Sequence, residues 1–378
     1  MKLQFGSGLI LAAAFACVTP ALAQIQDPGK LPDYVPGVQL HGSIKCFGSE
    51  LKGQMAVWEQ GFLKYQPDVV FSNDFVTSSE GAMAGLYIAK ADLAPAGDDA
   101  KISDVMPFWE TFRYLPLEVS VATGGYEKRG TLWAIQVVVN KDNPLSKLTM
   151  TQLADIFGAE RTGGWDGILY TAKYARGPEE DIRTWGQLGL TGVWADKPIH
   201  TYGYVAPGFE VAFERRLLHW SDKWNPNYKE FVEEKEVVGM APFAAGDNRE
   251  VSAQDKAEGE AVASERMYEE LSKDPYGIAW GPILHSKNYP QVKQIDLAET
   301  SAGPYVPLTE ANVQNRTYPF IRDAYIYVNR RPGTSLDPKV KEFLRYILSR
   351  QGQQDLIAQG MYYPLTPAMV EEQLKKLE

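Results

Sequence analysis

The stretch WAIQVVVNKDNPLSKLTMTQLADIFGAERTGGW, residues 133–165, decides the fold class of this chain. Residues 133–139 form a nearly continuous apolar run rich in β-branched side chains, which is typical of a strand covered on both faces by helices. A short helix is predicted next from a capping box, an apolar face and a left-handed glycine stop: Thr149 with Gln152, then Leu153, Ile156 and Phe157, then Gly158. A buried strand leading into a capped helix indicates a layered α/β fold.

The same alternation of strands and helices extends outward from this stretch. Between residues 42 and 122 the apolar pattern switches repeatedly between the spacing of a strand and that of a helix. Towards the other end, Asp337 is expected to cap a helix that begins with Pro338, and a second short helix is expected to end at Gly360. We therefore predict an α/β protein built from mostly parallel sheets flanked by helices.

The length of 378 residues favours two lobes, because one hydrophobic core rarely serves a chain of this size. Residues 136–141 are predicted to form the first crossing between the lobes, and the β-rich run 318–328 the return. The predicted division is an irregular segment at 24–41, a first lobe at 42–141 plus 323–378, and a second lobe at 142–322.

Residues 1–23 have the pattern of a secretory signal peptide. Lys2 supplies the positive charge, residues 9–18 the apolar core and Ala21-Leu22-Ala23 the cleavage site. The alternatives are a membrane anchor, for which the apolar stretch is too short, and a lipoprotein at Cys17, whose preceding residues depart from the usual lipidation pattern. We expect export to the periplasm, after which Cys46 is the one remaining cysteine and no intramolecular disulfide can form.

Composition and motifs favour a binding protein over an enzyme. The formal net charge of -10 argues against a nucleic-acid partner, although helix N-termini and backbone amides can still bind a small anion. The sequence has no G-x-S-x-G elbow, phosphate-binding P-loop, dinucleotide-binding motif or H-E-x-x-H motif. Its four histidines are scattered, and Cys46 is expected in a core strand, so neither a metal ion nor a cofactor is predicted.

Candidate binding residues follow the predicted strands, because ligands of open α/β sheets gather at the carboxyl ends of strands. Four segments qualify, with the candidates Gly48, Ser49 and Glu50; Ser78, Ser79 and Gly81; Gly97 and Asp98; and Tyr202, Gly208 and Phe209. Each segment alone is explained as well or better by helix capping. The hypothesis of a site depends on all four lying at equivalent places in two lobes.

These segments and the opening stretch resemble the phosphate-binding receptors of ATP-driven importers, in the type II periplasmic binding protein superfamily. That family has a Gly/Ser/Thr/Phe box, a Gly-Ser-Gly-rich turn and an Asp after an Ala-Ser pair, which residues 47–50, 78–81 and 96–98 resemble. Further similarity lies in residues 181–185, 276–280, 352–353 and 363–365, so the resemblance spans about residues 42–367.

The second lobe departs from the family pattern of an Arg before a Ser-Gly-Thr box. Residues 207–209 read Pro-Gly-Phe, and no arginine stands four residues before them. Arg176 and Arg183 are considered as replacement cations, against the alternative that both are solvated surface arginines.

The resemblance implies a two-lobed receptor that captures a small oxyanion, phosphate or phosphate-like, in an interlobe cleft and delivers it to an ABC transporter permease. No catalysis is implied, and the membrane is reached only through the permease. An exported sensor or adhesion module on the same scaffold is the alternative from a different class. A phosphate-ester hydrolase that uses Ser49 or Asp98 is a third hypothesis.

Overall fold

Two five-stranded sheets form the framework of the molecule. The computed structural model describes residues 28–75, 79–126, 134–205, 209–232 and 253–378. The predicted signal peptide with Cys17, and the candidates Ser78 and Gly208, lie outside the described residues. Among the residues that are described, no helix has the length and apolar character needed to cross a membrane.

The first sheet has the strand order β2-β1-β3-β14-β4. Its strands are β1 (Gly42–Phe47), β2 (Val69–Asp74), β3 (Leu93–Ala96), β4 (Leu117–Thr123) and β14 (Asp323–Val328). The second sheet has the order β10-β9-β11-β5-β12. Its strands are β5 (Gln136–Asn140), β9 (His200–Val205), β10 (Tyr228–Val232), β11 (Gly277–Gly281) and β12 (Val292–Gln294). Two short pairs complete the strands: β6 (Lys147–Thr149) with β13 (Asp296–Ala298), and β7 (Gly164–Asp166) with β8 (Leu169–Thr171).

Both sheets follow one plan. Three neighbouring strands are parallel, namely β2-β1-β3 in the first sheet and β10-β9-β11 in the second. An antiparallel strand then joins each trio, β14 beside β3 and β5 beside β11. Because β5 pairs inside the second sheet, the chain crosses between the sheets before residue 136 rather than within residues 136–141. We call each sheet with its helices a lobe, and the predicted α/β fold with two sheets flanked by helices is confirmed.

Helices cover the sheets. They are α1 (Gln54–Leu63), α2 (Ala82–Tyr87), α3 (Ile102–Phe112), α4 (Met150–Phe157), α5 (Phe209–Phe213), α6 (Ala253–Lys273), α7 (Ile283–Ser286), α8 (Glu310–Gln314), α9 (Pro338–Ile347), α10 (Arg350–Gln359) and α11 (Pro367–Lys376). A π-helical turn, Glu214–Leu218, extends α5. Short 3-10 turns lie at Pro28–Lys30, Ser79–Gly81, Ala172–Tyr174, Pro178–Glu180, Trp185–Leu188 and Gly192–Trp194.

The hydrophobic cores divide in the same way as the sheets. One cluster uses residues between 134 and 320 and fills the second lobe. Two further clusters, drawn from residues 31–122 and 324–377, pack in the first lobe. Cys46 is buried in one of these first-lobe clusters, where burial raises the pKa of its thiol and makes it a small core residue.

The predicted start of α4 is confirmed, but its predicted stop is wrong. Thr149 Oγ1 accepts from the Gln152 amide at 3.1 Å, and Gln152 Oε1 accepts from the Thr149 amide at 2.9 Å. Gly158 is extended, with φ -92°, instead of left-handed. Two arginines donate to the carbonyls at the end of α4 instead. Arg183 donates to the carbonyls of Asp155 and Gly158, and Arg176 donates to the carbonyl of Ala154.

Arg176 and Arg183 are therefore structural residues of the second lobe. Arg176 is only 8% exposed, and both arginines also pair with Asp181 at 2.7 Å. Neither the replacement-cation hypothesis nor the solvated-surface alternative describes them. The caps predicted near the end of the chain are confirmed, because Asp337 accepts from the Lys339 amide and α10 ends at Gly360 with φ 77°.

Candidate functional site

The loop after β1 lies directly against the end of β3 and the start of α2. Gly48 has φ +142°, and a Cβ at this position would lie 2.6 Å from the Pro95 carbonyl oxygen and 2.7 Å from Ala82 Cβ. The Ser49 amide donates to the same Pro95 carbonyl at 2.9 Å. Only glycine permits this approach, so the sequence Phe47-Gly48-Ser49 brings two of the candidate segments together.

Ser79 and Gly97 form the second contact between candidate segments. The Gly97 amide donates to Ser79 Oγ at 2.7 Å. A Cβ on Gly97 would lie 3.3 Å from that hydroxyl oxygen and 3.9 Å from the hydroxyl of Tyr362. Because a hydroxyl that accepts from an amide retains its own hydrogen, Ser79 can still donate to a bound anion. Gly81 ends the short turn that begins at Ser79 and leads into α2.

Ser49 does not cap α1, contrary to the capping alternative. Leu51, Lys52 and Gly53 are all left-handed, with φ of 51°, 56° and 85°, and they delay the helix to Gln54. Ser49 Oγ accepts from the Leu51 amide at 3.1 Å and so stabilises this left-handed turn. The neighbouring Glu50 is exposed, and its carbonyl accepts from Met55.

Asp98 pairs with an arginine that the sequence analysis did not select. Arg322 Nη2 forms an ion pair with Asp98 Oδ1, and the two side chains are 4% and 17% exposed. Asp98 does not cap α3, whose N-cap is Lys101. Burial lowers the pKa of Arg322 to about 10, which still leaves its guanidinium charged at neutral pH.

Arg322 also connects the two lobes. Its Cζ lies 5.2 Å from the ring centroid of Phe209, the first residue of α5 in the second lobe. The ring of Phe209 is held by stacking on Trp280 at 5.7 Å, and Trp280 in turn stacks on Phe213 at 4.6 Å. A cation thus stands between Asp98 of the first lobe and an anchored aromatic ring of the second.

Tyr202 lies away from this cluster, so the structure does not bring it together with the other candidates. It is 7% exposed, and its hydroxyl donates to Asp274 Oδ2 at 2.8 Å. Asp274 precedes β11 and therefore lies at the amino end of the parallel strands, opposite the edge where ligands bind. Burial and the Asp274 carboxylate raise the pKa of Tyr202.

A second arginine, Arg215, reaches from the π-helical turn of the second lobe to two carboxylates of the first. Nη1 forms an ion pair with Asp99 Oδ1, and Nη2 lies 3.2 Å from Glu118 Oε1. Burial alone lowers the pKa of Arg215, but Asp99 and Glu118 outweigh that effect and raise it. Asp99 itself has its pKa raised by burial, which the charge of Arg215 partly offsets. We call Asp99, Glu118 and Arg215 the interlobe ion-pair cluster.

A cavity of about 360 Å³ lies between the lobes, next to Arg322. Its lining includes four arginines and two aspartates: Arg215, Arg216, Arg316, Arg322, Asp99 and Asp323. Arg316 contacts Asp323 at 2.6 and 3.0 Å and Thr123 Oγ1 at 2.7 Å, so it joins the returning chain to the end of β4. In a chain of net charge -10, four arginines are thus gathered between the lobes, and each of them lies beside a carboxylate.

Within the described parts of the chain, no group of three or more His, Cys, Asp or Glu side chains could hold a metal ion. The residues gathered at the site are hydroxyls, backbone amides, one aspartate and one arginine. This donor set suits an oxyanion, because N–H and O–H groups supply hydrogen bonds to its oxygens.

Comparison with known proteins adds a relationship over nearly the whole chain. The phosphate-binding protein PstS of Pseudomonas aeruginosa is 29% identical over 372 residues, which cover 98% of this chain and 95% of that protein. PstS from Borrelia burgdorferi has a TM-score of 0.48 and 15% identity, covering 86% of this chain and all of that one. An ABC-type phosphate transport receptor from Vibrio cholerae has a TM-score of 0.44 and 16% identity, covering 85% of this chain and all of that one.

The family relationship follows from a match to a family model. The model of the PBP superfamily domain matches residues 132–351, which include the whole second sheet and the returning strand β14. This chain belongs to the PBP superfamily.

Proposed function

We propose that this protein is an exported receptor that binds phosphate or a phosphate-like oxyanion between its lobes and delivers it to an ABC permease. The observation that carries the proposal is the buried Arg322, which contacts Asp98 of the first lobe and Phe209 of the second. Similarity to a phosphate-binding protein along 98% of the chain favours this function over a sensor or adhesion module.

Each group at the site has a chemical task in this function. Arg322 supplies charge-assisted hydrogen bonds to anion oxygens, which supports it as the replacement for the arginine that the family pattern places in the second lobe. The hydroxyls of Ser49 and Ser79 donate further hydrogen bonds. Asp98 accepts a hydrogen bond from a protonated anion such as hydrogen phosphate. Gly48, Gly81 and Gly97 allow close approach of the backbone, and Glu50, Ser78 and Gly208 remain candidates.

Specificity arises from the proton count of the ligand. A fully deprotonated anion such as sulfate brings no hydrogen to Asp98, so it leaves a carboxylate facing an anion oxygen with no hydrogen bond between them. No proton transfer or nucleophilic step is needed, and we infer that the protein is not an enzyme.

The mechanism we propose is hinge closure. The first lobe comprises the residues around β1–β4 together with β14 and the helices after it, and the second lobe comprises the residues between the two crossings. An anion that contacts Arg322, Asp98 and the start of α5 at once binds only when the lobes are together, so it favours closure by its differential contacts. The closed receptor in the periplasm then meets its permease.

A thermal-shift measurement tests the function. Inorganic phosphate at about 100 times its dissociation constant stabilises the folded state by about 2.7 kcal/mol, which raises Tm by roughly 5–10 °C for lobes of this size. Sulfate at the same concentration is the matched control and is expected to raise Tm by less than about 1 °C. If phosphate, phosphonates, molybdate and sulfate all leave Tm unchanged, the receptor function is wrong.

A further inference from the structure

We propose that Arg215 fastens the two lobes in the ligand-binding arrangement and thereby sets the affinity and residence time of the anion without touching it. The expected change in phosphate affinity rests on the proposed receptor function. The expected fastening of the lobes rests only on the geometry of the interlobe ion-pair cluster.

All the carboxylate oxygens that Arg215 contacts lie across the gap between the lobes. Nη1 pairs with Asp99 and lies 3.2 Å from Glu118 Oε2, while Nη2 lies 3.2 Å from Glu118 Oε1. Asp99 follows β3, and Glu118 is in β4. The two terminal nitrogens of one guanidinium therefore bind carboxylates from two separate parts of the first lobe. A lysine ammonium cannot reproduce this planar, two-nitrogen geometry.

The acceptors are fixed in place by the first lobe itself. Tyr325 donates to Asp99 Oδ1 at 3.0 Å, and Tyr327 donates to Glu118 Oε2 at 3.1 Å. Both tyrosines belong to β14, which lies between β3 and β4 in the sheet. Because the carboxylates are already oriented, Arg215 loses little free energy to ordering them when the lobes meet.

The cluster is connected to the anion site through adjacent residues. Asp98 pairs with Arg322, and the next residue, Asp99, pairs with Arg215. On the returning chain Arg322 lies three residues before Tyr325, which holds Asp99. An opening motion that carries α5 away from the first lobe must break the contacts of Arg215 together with the approach of Phe209 to Arg322.

Loss of Arg215 should therefore weaken binding by reducing the fraction of molecules whose lobes are together, since the apparent dissociation constant rises as that fraction falls. The Arg215 side chain is 38% exposed, so solvent partly screens its ion pairs. We expect Arg215→Met to weaken phosphate binding about tenfold, mainly through faster dissociation.

Arg216 provides a matched control on the same helical turn. It is also 38% exposed, and its ion pair among the described residues is with the 59% exposed Glu299 of its own lobe. Arg216→Met removes the same charge and the same side-chain length without affecting a contact between lobes. We expect its affinity for phosphate to stay within about twofold of the unchanged protein.

The experiment compares the unchanged protein, Arg215→Met, Arg216→Met and the double variant Asp99→Asn with Arg215→Met. Calorimetry and stopped-flow fluorescence with inorganic phosphate give affinity and dissociation rate, and small-angle X-ray scattering without phosphate gives the radius of gyration. The double variant removes the carboxylate that Arg215→Met leaves buried. If the cluster fastens the lobes, the double variant still binds phosphate weakly. Recovery of phosphate affinity in the double variant would mean that the single variant acted through misfolding.

Two results would overturn the proposal: equal phosphate affinity for the Arg215 and Arg216 variants, or recovery of affinity in the double variant. If the unchanged protein does not bind phosphate, the receptor function fails, and scattering alone decides the role of Arg215. A larger radius of gyration for Arg215→Met than for Arg216→Met then supports fastening, and equal radii refute it.

Discussion

Replacement of Arg322 by methionine is the most informative perturbation of the site. Arg322 is buried, and its loss leaves Asp98, with 17% of its side chain exposed, without its cation. Breaking a buried ion pair costs about 3–5 kcal/mol, and the partial exposure of Asp98 places the expected loss of folding stability near the lower end, about 3 kcal/mol. Each charge-assisted hydrogen bond lost to the anion costs a further 1.5 kcal/mol or more, so two of them weaken phosphate binding by at least about a hundredfold.

Two further variants separate stability from binding. Arg322→Met combined with Asp98→Asn removes the orphaned carboxylate, so stability in urea should largely recover while phosphate binding does not. Arg322→Lys keeps the charge but loses the fork, and we expect intermediate affinity. Urea unfolding and isothermal calorimetry measure the two quantities. Phosphate affinity within threefold of the unchanged protein in Arg322→Met would refute the assignment of Arg322 as the cation of the site.

Three other predictions test the framework around the candidate site. Gly48→Ala should lower unfolding stability by about 3 kcal/mol in urea, because its Cβ would overlap backbone atoms, whereas Gly53→Ala, also at positive φ but with nothing within 4 Å, should lower it by about 1 kcal/mol. Arg183→Met should lower stability by about 1–3 kcal/mol, since it removes the donor of the Gly158 carbonyl and the ion pair with Asp181; an unchanged urea midpoint would contradict this. Burial raises the pKa of Glu59 above 4.5, so the stability that its protonation provides is complete below pH 4.5 and is lost as pH rises through the raised pKa. Glu59→Gln should therefore gain stability relative to the unchanged protein between pH 4.5 and 7, and parallel pH profiles would show that Glu59 titrates normally.

The fold followed from the sequence where local chemistry determines local structure. The capping box at Thr149 and Gln152 and the Pro338 helix start depend on neighbours within three residues, and both were confirmed. The predicted stop of α4 at Gly158 was wrong because the groups that satisfy this helix end are distant in the sequence. Its carbonyls are satisfied by Arg183, which lies 25 residues from Gly158, and no local pattern reports such a contact.

The candidate site could be predicted only in part, because strand ends are visible in sequence and partners across the lobes are not. Gly48 lies against Pro95, and Ser79 contacts Gly97, as expected of loops at the carboxyl edge of one sheet. The contact of Arg322 with Asp98 cannot be predicted from the sequence, because the two residues lie 224 positions apart and residues 318–328 predict only a strand. The Arg322-Asp323 pair in the mostly apolar and aromatic segment YPFIRDAYIYV was the available signal.

Strand β14 has a consequence for the order in which the lobes mature. It lies between β3 and β4 in the first sheet, yet it is synthesised after every strand of the second sheet. Until β14 joins the sheet, the facing edges of β3 and β4 have no strand between them, and unpaired edges of this kind invite aggregation. In a chain that we propose is exported, the first lobe can therefore be completed only after the residues of the second lobe have crossed the membrane, and chaperone dependence should concentrate on this unfinished sheet.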